Sequence, residues 1–262
     1  MKRRAFLKAA AAAAFGFQLV PRHVLGQGQT APSGKLNIAG IGVGGQGGGV
    51  LGEMKSENIV ALCDVDWAKA AQTLNAFPNA ERFKDYRVML EKRKDIEAVM
   101  IATPDHMHAP ITLAAMRAGK HVYVEKPMAH SIEEARMMTH IAKKTGLVTQ
   151  MGNNGHAGEG LRLTREWIQA DVIGTVTEVH GWSDRPLKWW PQPAQRPTET
   201  RAVPPDLDWN LWLGCAPQRP YHPAYHPFAW RGWFDFGTGA LGDMAVHNLD
   251  PAFYALDLGA PL

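Results

Sequence analysis

Between residues 35 and 151, short apolar runs alternate with stretches of helical spacing. The runs at 35–40, 58–63, 97–102, 120–125 and 147–151 read as strands, several of them ended by Gly, Asp or Pro punctuation. Residues 50–55 belong to the helix after the first strand. Helical spacing returns at 67–76 and at 110–118, where Gly119 closes the segment. Phe83 and Tyr86 begin a further turn and helix through Val88, Met89 and Leu90. Ser131, with Glu134 three residues on, has the signature of a capping box, and its helix runs to Lys144 before Gly146 stops it. Strands and helices alternating at this length predict a parallel sheet covered on both faces.

The rhythm changes after His156. A helix is expected over 161–170 and a half-buried strand over 175–182. Residues 183–227 are irregular and rich in Pro, Trp, His and Tyr. A loop of that length inside a compact region is a functional feature, and its aromatic content argues against disorder. A last helix is expected over 240–256, and there is no internal repeat.

At 262 residues and 45% hydrophobic content the chain has material for one large domain or two smaller ones with real cores. The formal charge of +3 misleads. Lys2, Arg3, Arg4, Lys8 and Arg22 lie in a leader without acidic residues, and the remainder carries a net −2. A nucleic-acid role loses its main support. The twin arginines and the apolar stretch 9–20, short for a membrane span, read as a twin-arginine export signal, with a retained N-terminal anchor as the alternative. The expected compartment is periplasmic or secreted, with the export machinery as a partner. Cys63 sits in an apolar run and Cys215 far from it, so the two are expected to stay unpaired. No Cys/His cluster has zinc-site spacing, and no metal is expected.

The first strand enters Gly42-Val43-Gly44-Gly45-Gln46-Gly47, and an acidic residue, Asp64, ends the next strand. Gly42 permits the turn, Gly44 admits a pyrophosphate close to the backbone, and Gly47 lets helix and strand approach. With Gly45 and Gln46 these residues form a dinucleotide-binding loop at a helix N-terminus. Asp64 can accept hydrogen bonds from the adenosine ribose, and its charge disfavours a 2′-phosphate. The expected cofactor is therefore NAD rather than NADP. Free NAD is scarce outside the cytoplasm, so the cofactor is expected to be held tightly.

Further motifs carry a resemblance. They are Thr103-Pro104-Asp105-His106-Met107-His108, Glu125-Lys126-Pro127 and the run from Gly239 through Asp243 to His247. With the glycine loop, they resemble the glucose–fructose oxidoreductase, inositol dehydrogenase and rhizopine-catabolism family over most of the chain after residue 35. The resemblance implies an α/β fold: a Rossmann domain, here 35–157 after a leader and linker at 1–34, then an α/β domain with a mostly antiparallel sheet, here 158–262. It implies homo-oligomers when full length. The family continues through several strands past this point, so the chain reads as C-terminally truncated. It also implies catalytic roles for Lys126, Asp243 and His247, and a cofactor border of Thr103, Pro104, His108, Glu125 and Lys126.

The chemistry is coherent on its own terms. Oxidising a secondary alcohol needs a base for the hydroxyl proton, and His247 has the right intrinsic pKa. Asp243 lies four residues earlier on the same helical face and can orient the imidazole or bind a substrate hydroxyl. Lys126 can stabilise alkoxide charge. His106 and His108 are expected to line the nicotinamide edge or cap the following helix. His156, Trp182, Arg185, Trp190 and Tyr225 are substrate-binding candidates, with Lys126, Asp243 and His247, because flat aromatic faces with interspersed donors suit a sugar ring. Trp189, Tyr221, His222 and His226 share that loop. Trp209, Trp212, Trp230 and Trp233 read as packing residues. The expected activity is NAD-dependent hydride transfer on a sugar or glycoside. The alternatives are a glycosidase acting by transient oxidation, or a sugar-binding remnant without turnover.

Overall fold

The computed structural model describes residues 34–191 and 195–259. The expected export signal lies outside them. Six parallel strands form one sheet: β1 (Asn37–Ile41), β2 (Asn58–Cys63), β3 (Glu81–Phe83), β4 (Ala98–Ile101), β5 (His121–Glu125) and β6 (Thr149–Gly152). Their order is β3-β2-β1-β4-β5-β6. The chain reverses direction across the sheet between β1 and β4, which opens a crevice at the strands' C-terminal ends.

Period-two alternation builds both faces of the sheet. Ala39 and Ile41 of β1 and Val99 and Ile101 of β4 point into one apolar cluster, with Ile111, Leu113 and Met116 packed there. Ile38 of β1 and Met100 of β4 point the other way, against Leu51, Ala70 and Leu74. The covering helices are α1 (Gln46–Glu53), α2 (Trp67–Ala76), α3 (Tyr86–Lys92), α4 (Asp105–Arg117) and α5 (Ile132–Thr145). Asp66 and Asp85 cap α2 and α3 through side-chain bonds to backbone N–H groups. The Ser131–Glu134 capping box forms at the start of α5, and Gly146 ends that helix at φ 66°.

Two boundaries in this half depart from expectation. Phe83 does not open a helix; it closes β3, a three-residue edge strand paired with β2. Helix α4 begins at Asp105, with Pro110 inside it. Proline has no N–H to give the carbonyl four residues back. That carbonyl belongs to His106, and the Cys215 thiol donates to it at 3.2 Å. Cys63 and Cys215 are both free.

Beyond Gly152 come α6 (Glu159–Gln169), α7 (Trp209–Leu213), a 3-10 turn (Ala229–Gly232), α8 (Gly239–Asn248) and α9 (Asp250–Ala255). The helix expected over 240–256 is thus split at Leu249, where Pro251 in the next turn removes a donor. The strand expected over 175–182 is not formed. That stretch is irregular and mostly exposed, because no other strand lies beside it among the described residues. A third cluster holds this half together: Trp209 and Trp212 stack at 4.7 Å, and Tyr221, Tyr225, Trp230 and Phe236 pack around them. Among the described residues no helix is long and apolar enough to cross a membrane.

The aromatic cluster is tied to the sheet region by polar pins. Both His106 ring nitrogens face carbonyls, Phe236 O at 3.3 Å and Trp212 O at 3.2 Å. Asp105 accepts from the Thr238 N–H and hydroxyl. Leu207 pairs with Asp66 in an isolated antiparallel bridge, and the Asp208 N–H donates to Val65 O.

Candidate active site

The C-terminal ends of β1, β2, β4 and β5 face one cavity of about 520 Å³. The glycine loop contributes Gly42, Gly44, Gly45 and Gln46 to its lining. Gly42 takes φ +76°, a left-handed conformation that glycine adopts without strain. Gly47 lies behind the lining, where a Cβ would sit 1.9 Å from Gly42 O. Any other residue there would push α1 off the loop. Gly45 caps α1 without a side-chain bond, so the first N–H groups of the helix are left for a ligand. A glycine cradle beside an uncapped helix N-terminus fits a dinucleotide's phosphates.

Asp64 lines the same cavity. One carboxylate oxygen accepts from the Gly44 N–H and the other from the Asp66 N–H, both at 2.9 Å. Burial pushes its pKa above the ordinary value, against the pull of those two bonds. Each oxygen keeps a further lone pair for a ribose hydroxyl.

Thr103, Pro104, His108, Glu125 and Lys126 line the cavity at the ends of β4 and β5. His108 is 1% exposed and meets the cavity only as part of its wall. Its two nitrogens lie 2.6 Å from Pro127 O and 2.7 Å from Thr103 O. It therefore holds the two strand-end loops to each other. His106 is outside the lining, packed among Trp212 and Phe236, where burial pushes its pKa down to about 4. Neither histidine caps α4, whose N-cap is Pro104. Burial raises the Glu125 carboxyl, and the Tyr123 hydroxyl at 3.3 Å offsets part of that.

The decisive contact crosses 117 residues. Lys126 Nζ donates to Asp243 Oδ1 at 2.6 Å and to the Asp243 carbonyl at 3.2 Å. Arg185 pairs with the other Asp243 oxygen, and its guanidinium lies 3.7 Å over the Trp189 ring. Burial alone would raise the Asp243 carboxyl, but Lys126 and Arg185 together hold it below the ordinary range. Asp243 thus positions two cations and leaves the His247 ring without its bond. His247 is one turn further along α8, half-buried. Burial first, then the Lys126 charge, push its pKa below the ordinary imidazole value, with Asp243 pulling the other way. His247 is not among the residues that line the cavity; held neutral by burial and by the Lys126 charge, its imidazole is able to accept a proton.

Of the loop residues expected at a substrate, Arg185, Trp189 and His226 line the cavity. Trp190 does not: it is 5% exposed and packs on Gly232, where a Cβ would meet its ring at 2.3 Å. Tyr225 does not either, being a member of the aromatic cluster with Trp209 and Phe236. Trp182 is 82% exposed and outside the lining. His156 is turned to Asp250, 2.9 Å away, and to the Tyr254 ring. Arg231 and Asn154 line the cavity and were not expected. An arginine inside the aromatic run Ala229-Trp230-Arg231-Gly232-Trp233 was the available signal for the first.

A family model described as "Oxidoreductase family, NAD-binding Rossmann fold" matches residues 35–153, and one described as "Oxidoreductase family, C-terminal alpha/beta domain" matches residues 166–260. The chain is 27% identical over 230 residues to levoglucosan dehydrogenase of Pseudarthrobacter phenanthrenivorans, covering 82% of this chain and 50% of that one. It is 28% identical over 215 residues to glycosyl hydrolase family 109 protein 1 of a Shewanella strain, covering 71% and 47%. The chain spans about half the length of these curated relatives. In fold it is similar to an oxidoreductase domain protein from Kribbella flavida, with a TM-score of 0.62 at 24% identity, over 85% of this chain and 54% of that one. The two family matches take in most of the chain, which belongs to the glucose–fructose oxidoreductase, inositol dehydrogenase and rhizopine-catabolism family of oxidoreductases, with an NAD-binding Rossmann region.

Proposed function

We propose that the protein of which this chain is part is an NAD-dependent oxidoreductase acting on a hydroxyl-bearing carbon of a sugar or glycoside. The observation that carries this reading is the Lys126–Asp243 contact, which joins the end of β5 to α8 beside the glycine loop. NAD, when bound, supplies hydride acceptance. The protein's own residues do the rest. Lys126 donates a hydrogen bond to the reacting oxygen and stabilises its negative charge. His247 accepts the hydroxyl proton. Asp243 fixes Lys126, and Arg185 braces Asp243 from the other side. Gly42, Gly44, Gly45 and Gln46 hold the phosphates, and Asp64 takes the ribose. Its charge favours NAD over NADP.

The same proposal takes 35–157 as the cofactor domain and 158–262 as part of a substrate and oligomerisation domain. In the full-length homo-oligomer, 175–182 would supply a strand to an antiparallel sheet. The twin-arginine leader puts the protein in the periplasm or outside the cell, with its cofactor tightly bound before export.

The test is direct. The full-length protein is purified, denatured, and any released dinucleotide identified. NADH formation is then followed over a panel of sugars and glycosides. Bound or bindable NAD with turnover on a sugar is expected. A protein that neither carries nor binds NAD overturns the reading. Resemblance to the family 109 glycosyl hydrolase favours one other outcome: release of an aglycone with no net NADH, the mark of transient oxidation and elimination.

A further inference from the structure

Among the charged residues that line the cavity and that the proposed reaction does not use, Arg231 is the arginine on the aromatic wall beside Arg185 and Asp243. Lys126 and Arg185 share Asp243, so one carboxylate answers two cations. Arg231 makes no ion pair among the described residues. Its one hydrogen bond goes from Nη1 to the carbonyl of Phe228 at 3.1 Å. Its guanidinium lies 4.4 Å from the Phe228 ring and 4.2 Å from the Trp230 ring. Asp243 and Arg185 are close enough to act on it electrostatically, and so is Asp105, whose carboxylate is already engaged by Thr238. Burial lowers the Arg231 pKa, the signature of a cation held away from water.

The backbone holds this arginine in place from two sides. A Cβ on Gly237 would lie 2.5 Å from Arg231 Cα, and a Cβ on Gly232 would meet the Trp190 ring. The guanidinium is thus seated on aromatic rings at the wall of the cavity, with most of its five donors free. A half-buried guanidinium of this kind is costly unless something anionic meets it. Its planar fork matches a carboxylate. One guanidinium offers one fork for one carboxylate, and the nearby Asp243 and Asp105 charges disfavour a phosphate dianion there.

Resting on the oxidoreductase reading, we infer that the sugar taken by this site carries a carboxylate, as a uronic acid or its glycoside does, and that Arg231 receives that carboxylate while Lys126 and His247 address the reacting hydroxyl. Arg231 then sets specificity and takes no part in the proton transfer.

The experiment uses the full-length protein with NAD and matched pairs of substrates: methyl glycosides and the same glycosides oxidised to the uronate at C6, in several sugar configurations. Both kcat/KM and calorimetric affinity are measured, for the wild type, Arg231→Gln and Arg231→Lys. The wild type is expected to favour the uronate of the accepted configuration by at least tenfold. That ratio should fall at least tenfold in Arg231→Gln and be partly restored in Arg231→Lys. If Arg231 were only structural, both members of the pair would lose equally and the ratio would stand, which overturns the inference. A wild type that prefers the neutral partner, or that prefers a matching 6-phosphate, also overturns it without needing any variant to fold. Selective binding of the uronate without turnover upholds the carboxylate site and sinks the oxidoreductase reading, so the two failures are told apart.

Discussion

The two halves of the cavity wall are built on different principles. On the glycine-loop side the backbone makes the recognition surface. Gly42 and Gly47 act by having no side chain, and Asp64 acts through bonds to N–H groups near it in the fold. On the aromatic side the key polar contacts join partners distant in sequence. Asp243 meets Lys126 across 117 residues, and His106 bonds Phe236 across 130. The first half buries apolar residues on both faces of the sheet and leaves Ile132 and Val148 exposed at its rim. The second leaves Trp182, Phe234 and Leu241 at 82%, 87% and 77% exposure. A glycine loop can be written into a few consecutive residues, whereas the proposed substrate site has to be assembled by the fold.

The largest expected effect is at the junction of the halves. Lys126→Met removes the donor to the reacting oxygen and leaves Asp243 with Arg185 alone. It is expected to lower kcat by about a thousandfold, with NAD affinity much less affected. Steady-state rates beside calorimetric NAD titration check it; an equal loss in both would mean that Lys126 serves the cofactor alone. Next is Gly47→Ala, confined to the first half. The 1.9 Å clash with Gly42 O has no flexible atom to give way. NAD affinity should fall by about a hundredfold, or about 2.7 kcal/mol, while tryptophan fluorescence from the aromatic cluster stays native. A titration showing wild-type affinity would remove the close approach from the argument.

A smaller effect sharpens the second half. The His247 pKa is lowered, so the neutral base persists to lower pH. The acid limb of kcat/KM should lie below the ordinary imidazole value of about 6.5, with activity lost as pH falls through it. Between the folded and unfolded pKa values the unfolded chain binds more protons, so His247 makes stability rise with pH in that window. Lys126→Gln removes the second depressing influence, and an NMR titration of His247 should then move upward. A midpoint that stays put would detach the ring from Lys126. The smallest effect is Ser131→Ala, which removes one half of a capping box far from the cavity and should cost about 1 kcal/mol in urea unfolding with NAD affinity unchanged.

The halves also differ in how far their residues could be read before folding. The capping box at Ser131, the stop at Gly146 and the loop at Gly42 are local devices, visible within a few residues. The edge strand Glu81–Phe83 is not legible, because three residues carry too little alternation to count. The start of α4 was set five residues late, because Pro110 looks like a boundary until the Cys215 thiol is seen bonding the freed His106 carbonyl. Lys126 and Asp243 were legible as chemistry through the family resemblance, but their contact was not, since nothing local links them. Trp190 and Tyr225 show the limit most clearly. Composition placed them among sugar-binding aromatics, and only packing reveals that Gly232 and Phe236 bury them while Trp189, their neighbour, faces the cavity.

The chain at 206–208 lies across the end of β2. Lys84 donates to the Asp206 carbonyl, Leu207 bridges Asp66, and His226 lies 3.3 Å from the Asp66 carboxylate. Leu211 and Trp212, just beyond, line the same cavity as Asp64. That end of the cavity is thus walled jointly by β2 and by a segment far along the chain, and its shape depends on the segment staying docked. Amide exchange at Asp208, whose N–H donates to Val65 O, would report how often the segment undocks.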